Sequence, residues 1–154
     1  MTKTIDQIDE LIQTKTAFRR HSKGPVMFSG CSPLGDVIII DNISPSKSYD
    51  LTGWYIERET DSHSTVRYDF PDHYILPPMT TVELWSTAGS PTTTLSDNEL
   101  HQSSGSQTIV RTTVKLLTWS TARQWSVNRL FDYYGRQKAH FSHRTLTPEE
   151  QEDQ

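Results

Sequence analysis

The feature that most constrains this chain is the rhythm of its residues between Gly24 and Arg144. Short runs rich in β-branched and aromatic residues recur there, closed by Pro, Gly, Asp, Asn or Ser, with almost no helical periodicity. Pro25 to Ser29 carries Val26 and Phe28 on one face. Val37 to Ile40 is a continuous β-branched run, suited to a strand buried on both sides or in the centre of a sandwich, and Ser32-Pro33-Leu34-Gly35 before it is turn chemistry. Leu51 to Glu59 puts Trp54 and Ile56 on one face, while Val66, Tyr68 and Phe70 alternate with Thr65, Arg67 and Asp69. Thr80 to Ser86, introduced by Pro77-Pro78, and Ile109 to Trp119 continue the series. Trp125 to Asp132 and Gln137 to Ser142 flank Tyr133-Tyr134-Gly135-Arg136, where Gly135 can supply the positive φ of a hairpin turn. The predicted fold class is all-β, a sandwich with flexible N- and C-terminal extensions.

At 154 residues the chain can bury one sizeable core, and its 33% hydrophobic content implies that part of its length stays outside that core. Residues 1–23 are expected to form a polar linker, with Ile5, Ile8, Leu11 and Ile12 spaced for a short helix. Residues 24–144 are the expected domain and 145–154 an acidic, disordered tail. Thr87 to Thr108, dense in Ser, Thr, Gly and Asp, reads as a mobile loop.

A net charge of -4 with basic residues spread along the chain argues against nucleic acid as a partner. Cys31 is the only cysteine, which excludes an intrachain disulfide and favours a reducing compartment. No stretch reaches the roughly 18 apolar residues of a membrane span, and the C-terminal Glu149-Glu150-Gln151-Glu152-Asp153-Gln154 has no cysteine four from the end for prenylation.

Chemistry finds little to stand on. Six histidines are scattered, and the close pair, His140 and His143, is three apart on a predicted strand and so points to opposite faces. No serine sits in a strand-turn-helix nucleophile context, and no Gly-rich phosphate loop precedes a helix, so neither enzyme nor cofactor is expected. Contact residues are a better prospect. Trp119, Arg123 and Trp125 bracket a polar turn and form the predicted protein-contact patch, since Trp and Arg dominate interface anchors. Of four Ser/Thr-Pro steps, Ser32 and Ser44 read as turn formers, whereas Ser90 and Thr147 lie in the expected mobile segments and are candidate phosphorylation sites. Cys31 reads as a small buried filler.

The ordered series Gly24-Pro25-Val26-Met27-Phe28-Ser29, Ser32-Pro33-Leu34-Gly35, Val37 to Asn42, Leu51-Thr52-Gly53-Trp54-Tyr55-Ile56-Glu57-Arg58, Tyr68-Asp69-Phe70-Pro71 and Thr80 to Trp85 resembles the lamin tail domain. The resemblance covers about Gly24 to Arg144. It implies an immunoglobulin-like sandwich carried at the C-terminal end of a filament-forming coiled-coil protein. A nuclear lamin would also carry a Lys/Arg-rich import run before Gly24 and a prenylation box. Their lack points to the cytoplasmic, invertebrate kind of intermediate-filament protein, and this segment is then expected to be a fragment. The sequence departs from the lamin pattern at Gly30-Cys31 and in the Thr87 to Thr108 loop. The implied function is a non-catalytic structural tail in the cytoskeleton, a monomer or weak dimer by itself, whose partners are other filament subunits and filament-associated proteins. Two alternatives are a nuclear tail contacting chromatin or nuclear-envelope proteins, and a sandwich that binds a glycan or other ligand through surface tryptophans.

Overall fold

A computed structural model describes residues 15–89, 99–102 and 108–146. The twelve strands are β1 (Lys15–Ser22), β2 (Val26–Cys31), β3 (Val37–Asn42), β4 (Tyr49–Asp50), β5 (Tyr55–Thr60), β6 (Val66–Asp69), β7 (Ile75–Leu76), β8 (Thr80–Trp85), β9 (Glu99–Gln102), β10 (Thr108–Thr113), β11 (Trp125–Phe131) and β12 (Gln137–Leu146). One five-stranded sheet runs β1-β12-β11-β5-β6 and the other β2-β3-β8-β10-β9, with β4 and β7 forming a small third pair. The fold is an all-β sandwich, as the strand rhythm predicts, and is immunoglobulin-like, as the resemblance implies.

Alternation builds the core. Ile38 and Ile40 on β3, Val82 and Leu84 on β8, Ile56 on β5 and Leu130 on β11 all have zero exposure, and each contributes about 1.5–3 kcal/mol by leaving water. On β3, Val37 and Ile39 point the other way and are half-buried. The β11–β12 hairpin closes as predicted, with Gly135 at φ 78° and Gly135 N–H donating to the Asp132 carbonyl at 3.0 Å. At Ser32 and Ser44 the hydroxyls accept backbone N–H groups from Leu34 and Lys47, so both act as the turn formers expected of them.

Four expectations need correction. The stretch expected as a linker contains β1, paired with β12 over eight residues from Lys15↔Leu146 to Ser22↔Ala139. Thr16 to His21 are exposed on both faces, so β1 has no burial alternation to betray it; backbone pairing with the rim of β12 makes it a strand. Likewise β12 runs two residues past Arg144 and ends on Leu146, which is buried. Within the expected Thr87 to Thr108 loop, Glu99–Gln102 pairs antiparallel with β10, a backbone interaction that a polar sequence can make. Finally, the run predicted from Ile109 to Trp119 leaves the sheet after Thr113. There the chain crosses from one sheet to the other, and the Leu116 and Leu117 carbonyls accept N–H groups from Thr87 and Ala88. The predicted helix over Ile5 to Ile12 lies outside the described residues.

Candidate protein-contact surface

The polar groups that chemistry would need lie inside the sandwich and hold one another. Arg58 has no solvent exposure. Its Nη1 donates to Asn128 Oδ1 at 3.1 Å, and Asn128 Nδ2 donates to the Phe141 carbonyl at 3.0 Å and to Ser126 Oγ at 3.4 Å. Ser126 Oγ in turn lies 2.6 Å from His143 Nδ1. A serine beside a histidine invites a catalytic reading, but both are buried, and the imidazole Nδ1 that a triad gives to its carboxylate is taken here by the serine itself. Burial, reinforced by the Arg58 charge and opposed by Asp61, pushes the His143 pKa down. The pair is structural. His140, three residues earlier, faces outward and is half-buried, so the two histidines do diverge as the strand period requires. Cys31 is buried, and desolvation pushes its thiol pKa up against the opposing Arg58 charge, which suits a filler and not a nucleophile.

The predicted patch does not assemble. Trp119 is fully buried at the end of the sandwich, with Nε1 donating to the Leu84 carbonyl at 2.8 Å and its ring edge-on to Tyr68 at 5.8 Å. In the core the large ring leaves water while its indole N–H keeps a carbonyl partner, so the crossing segment can turn it inward without leaving the donor unpaired. Arg123 is exposed, and its backbone N–H and that of Gln124 both bond the Asp61 carboxylate at 2.9 Å. Those bonds outweigh desolvation and lower the Asp61 pKa. Trp125 begins β11 on the outer face, half-buried, and lines a groove of about 290 Å³ with Arg19, Val127, Ser142 and Arg144. Trp119 and Trp125 thus serve opposite sides of one sheet. Ser90 and Thr147 lie outside the described residues.

A different cluster exposes aromatic and cationic side chains together, and it sits at the β11–β12 turn. Tyr133 and Tyr134 are 68% and 77% exposed and meet edge-to-face at 5.3 Å. The Arg136 guanidinium lies 5.1 Å from the Tyr134 ring centre. Beside them on the outer face, Tyr55 and Phe131 stack at 4.8 Å, and Arg67 covers the Tyr55 ring at 3.8 Å. This ridge is preorganised. The Asp132 carboxylate accepts the Tyr134 and Arg136 N–H groups and the Arg136 side chain, all within 3.0 Å, and these bonds outweigh desolvation to lower its pKa. Tyr133 lies against Gly53, where a Cβ would come within 2.3 Å of its ring. The sequence marks Tyr133 and Tyr134 only as part of a hairpin turn, and their union with Tyr55 and Arg67 depends on strand pairing across 70-odd positions, as in Phe131↔Tyr55.

No family model matches the chain. Its curated relatives are filament proteins. It is 29% identical over 85 residues to intermediate filament protein ifa-3 of Caenorhabditis elegans, covering 55% of this chain and 15% of that protein. To the muscle cell intermediate filament protein OV71 of Onchocerca volvulus it is 33% identical over 73 residues, 47% of this chain and 17% of the relative. Intermediate filament protein ifb-2 of C. elegans matches at 34% over 65 residues, 42% and 12% respectively. The chain therefore spans under a fifth of the length of the relatives it matches. These similarities bear out the resemblance to invertebrate intermediate-filament proteins read from the sequence.

Proposed function

We propose that the chain is the non-catalytic tail domain of a cytoplasmic intermediate-filament subunit, displaying its surface to neighbouring subunits and filament-associated proteins. The observation that supports this most is the similarity to filament proteins on a sandwich of the lamin-tail kind. Filament assembly belongs to a heptad-repeat rod, so a sandwich attached to one contributes contacts and not polymerisation. The Tyr133, Tyr134 and Arg136 ridge supplies large, rigid, exposed anchors of the type that dominates binding energy at interfaces. A chromatin-contacting role fits less well with the net charge of -4. The test is co-sedimentation of the purified chain with filaments reassembled from a nematode intermediate-filament protein. Saturable pelleting, lowered several-fold by replacing both Tyr133 and Tyr134 with Ala, is expected. A chain that stays in the supernatant at every filament concentration contradicts the reading.

A further inference from the structure

The unpaired edge of β1 has a chemistry of its own. Among the described residues no strand lies beyond it in its sheet, so its outer N–H and C=O groups are open to pairing. The segment Lys15 to Lys23 carries Lys15, Arg19, Arg20, His21 and Lys23, and no Asp or Glu occurs from Leu11 to Gly35, in a chain whose net charge is -4. Side chains alternate across the edge. Arg19 pairs with Ser142 and turns to the outer groove beside Trp125, whereas Phe18 and Arg20, paired with His143 and Phe141, turn to the seam between the two sheets. That seam opens as a cavity of about 510 Å³ lined by Phe18, Arg20, Gly30, Cys31, Pro33 and Phe141. Phe18 remains 58% exposed there, and nothing lies within 4 Å of where a side chain on Gly30 would begin. Among the described residues, neither Arg19 nor Arg20 has a carboxylate partner.

We propose that β1 is a docking edge for an extended acidic segment of a partner protein, which adds to the sheet as a further strand. Backbone pairing would supply orientation and alternate side chains the specificity. The required pattern follows from the register. Opposite Arg20 and Arg19 the partner places two consecutive acidic residues, one on each face, and opposite Phe18 a large apolar residue that enters the seam. Read antiparallel to β1, the partner carries acidic, acidic, apolar. Charge favours this occupant over the alternatives: a second copy would set one basic strand against another, and nucleic acid would leave both the seam and the edge backbone unused. The proposal rests on the reading of this chain as a contact module, and it names the chemistry of one partner.

The probe is an end-capped peptide, Thr-Val-Glu-Glu-Phe-Val-Thr, titrated against the full chain by fluorescence anisotropy, without filaments, so that its outcome is independent of co-sedimentation. Micromolar binding that weakens at least about tenfold in Arg19→Glu and in Arg20→Glu is expected. The double reversal should regain binding for the peptide with Lys-Lys in place of Glu-Glu, which a misfolded variant could not do. Methylation of alternate backbone nitrogens of the peptide should abolish binding for one parity only. Absence of binding at millimolar peptide, indifference to charge reversal, equal sensitivity to both parities, displacement of the peptide by duplex DNA, or a dimer of this chain that protects the β1 amides would each overturn the proposal.

Discussion

Arg58 holds the carbonyl oxygen of Ser120 with two N–H groups, Nε at 3.1 Å and Nη2 at 3.0 Å, across 62 positions of sequence. The same Nη2 reaches the Ser32 carbonyl at 3.0 Å, and Nη1 reaches Asn128. One guanidinium thereby fastens β5 to β11, to the turn between β2 and β3, and to the segment that crosses between sheets. Burial lowers its pKa, with Cys31 acting weakly the other way, yet guanidinium stays protonated in proteins. Its charge is balanced here by carbonyl dipoles, which a planar fork can collect and an ammonium cannot.

Replacing Arg58 by Lys is therefore expected to cost about 2–3 kcal/mol, and by Ala about 3–5 kcal/mol, through carbonyls left unsatisfied in the interior. Urea denaturation measures both. A lysine variant as stable as the parent would show that the fork geometry is immaterial.

His143 makes stability depend on pH. Its pKa is lowered in the folded state by burial first and by Arg58 second, so the unfolded chain takes up a proton near the ordinary histidine range while the folded chain does not. Stability from this group is complete above the unfolded value of about 6.5, declines as pH falls below it, and levels off beneath the depressed folded value. The expected result is a urea midpoint that drops from pH 7.5 to pH 5.5, and a smaller drop in His143→Asn. An equal drop in both proteins would assign the dependence to other groups.

The two tryptophans that the sequence sets together should behave as opposites. Trp119→Phe removes the indole donor to the Leu84 carbonyl and leaves a void where the larger ring sat, and is expected to cost about 1–3 kcal/mol. Trp125→Ala, on the outer face, should change stability by less than about 1 kcal/mol. Denaturation of each variant, with acrylamide quenching of the remaining tryptophans, separates them.

Gly53 offers a test of the aromatic ridge. At φ 76°, and with Tyr133 where its Cβ would go, Gly53→Ala strains the backbone and displaces the ring. A loss of about 1–3 kcal/mol is expected, together with altered Tyr133 ring resonances in NMR spectra. Unchanged resonances would mean that Tyr133 does not rest on Gly53.

How much of this was legible depends on what each feature leaves in the sequence. Strands with one buried face, such as β5 and β11, announce themselves because burial selects alternate residues. By contrast β1 leaves no such mark: its basic residues look dispersed until pairing sets Arg19 and His21 beside Ser142 and His140. Trp119 is hard to place for the converse reason, since a polar turn such as Ser120 to Gln124 looks exposed even when the residue before it turns into the core. Arg58 stood within a recognisable strand, but its partners at Ser32, Ser120 and Asn128 come from three separate segments that no local pattern connects.

The central claim, a tail carried on a filament subunit, is tested most directly by sequencing the full-length transcript that encodes this segment. The account predicts an upstream coding region with apolar a and d positions repeating in heptads over hundreds of residues, joined in frame to the sandwich. A transcript that joins the sandwich to a different kind of domain, or encodes it alone, would contradict the filament reading and leave an independent interaction module.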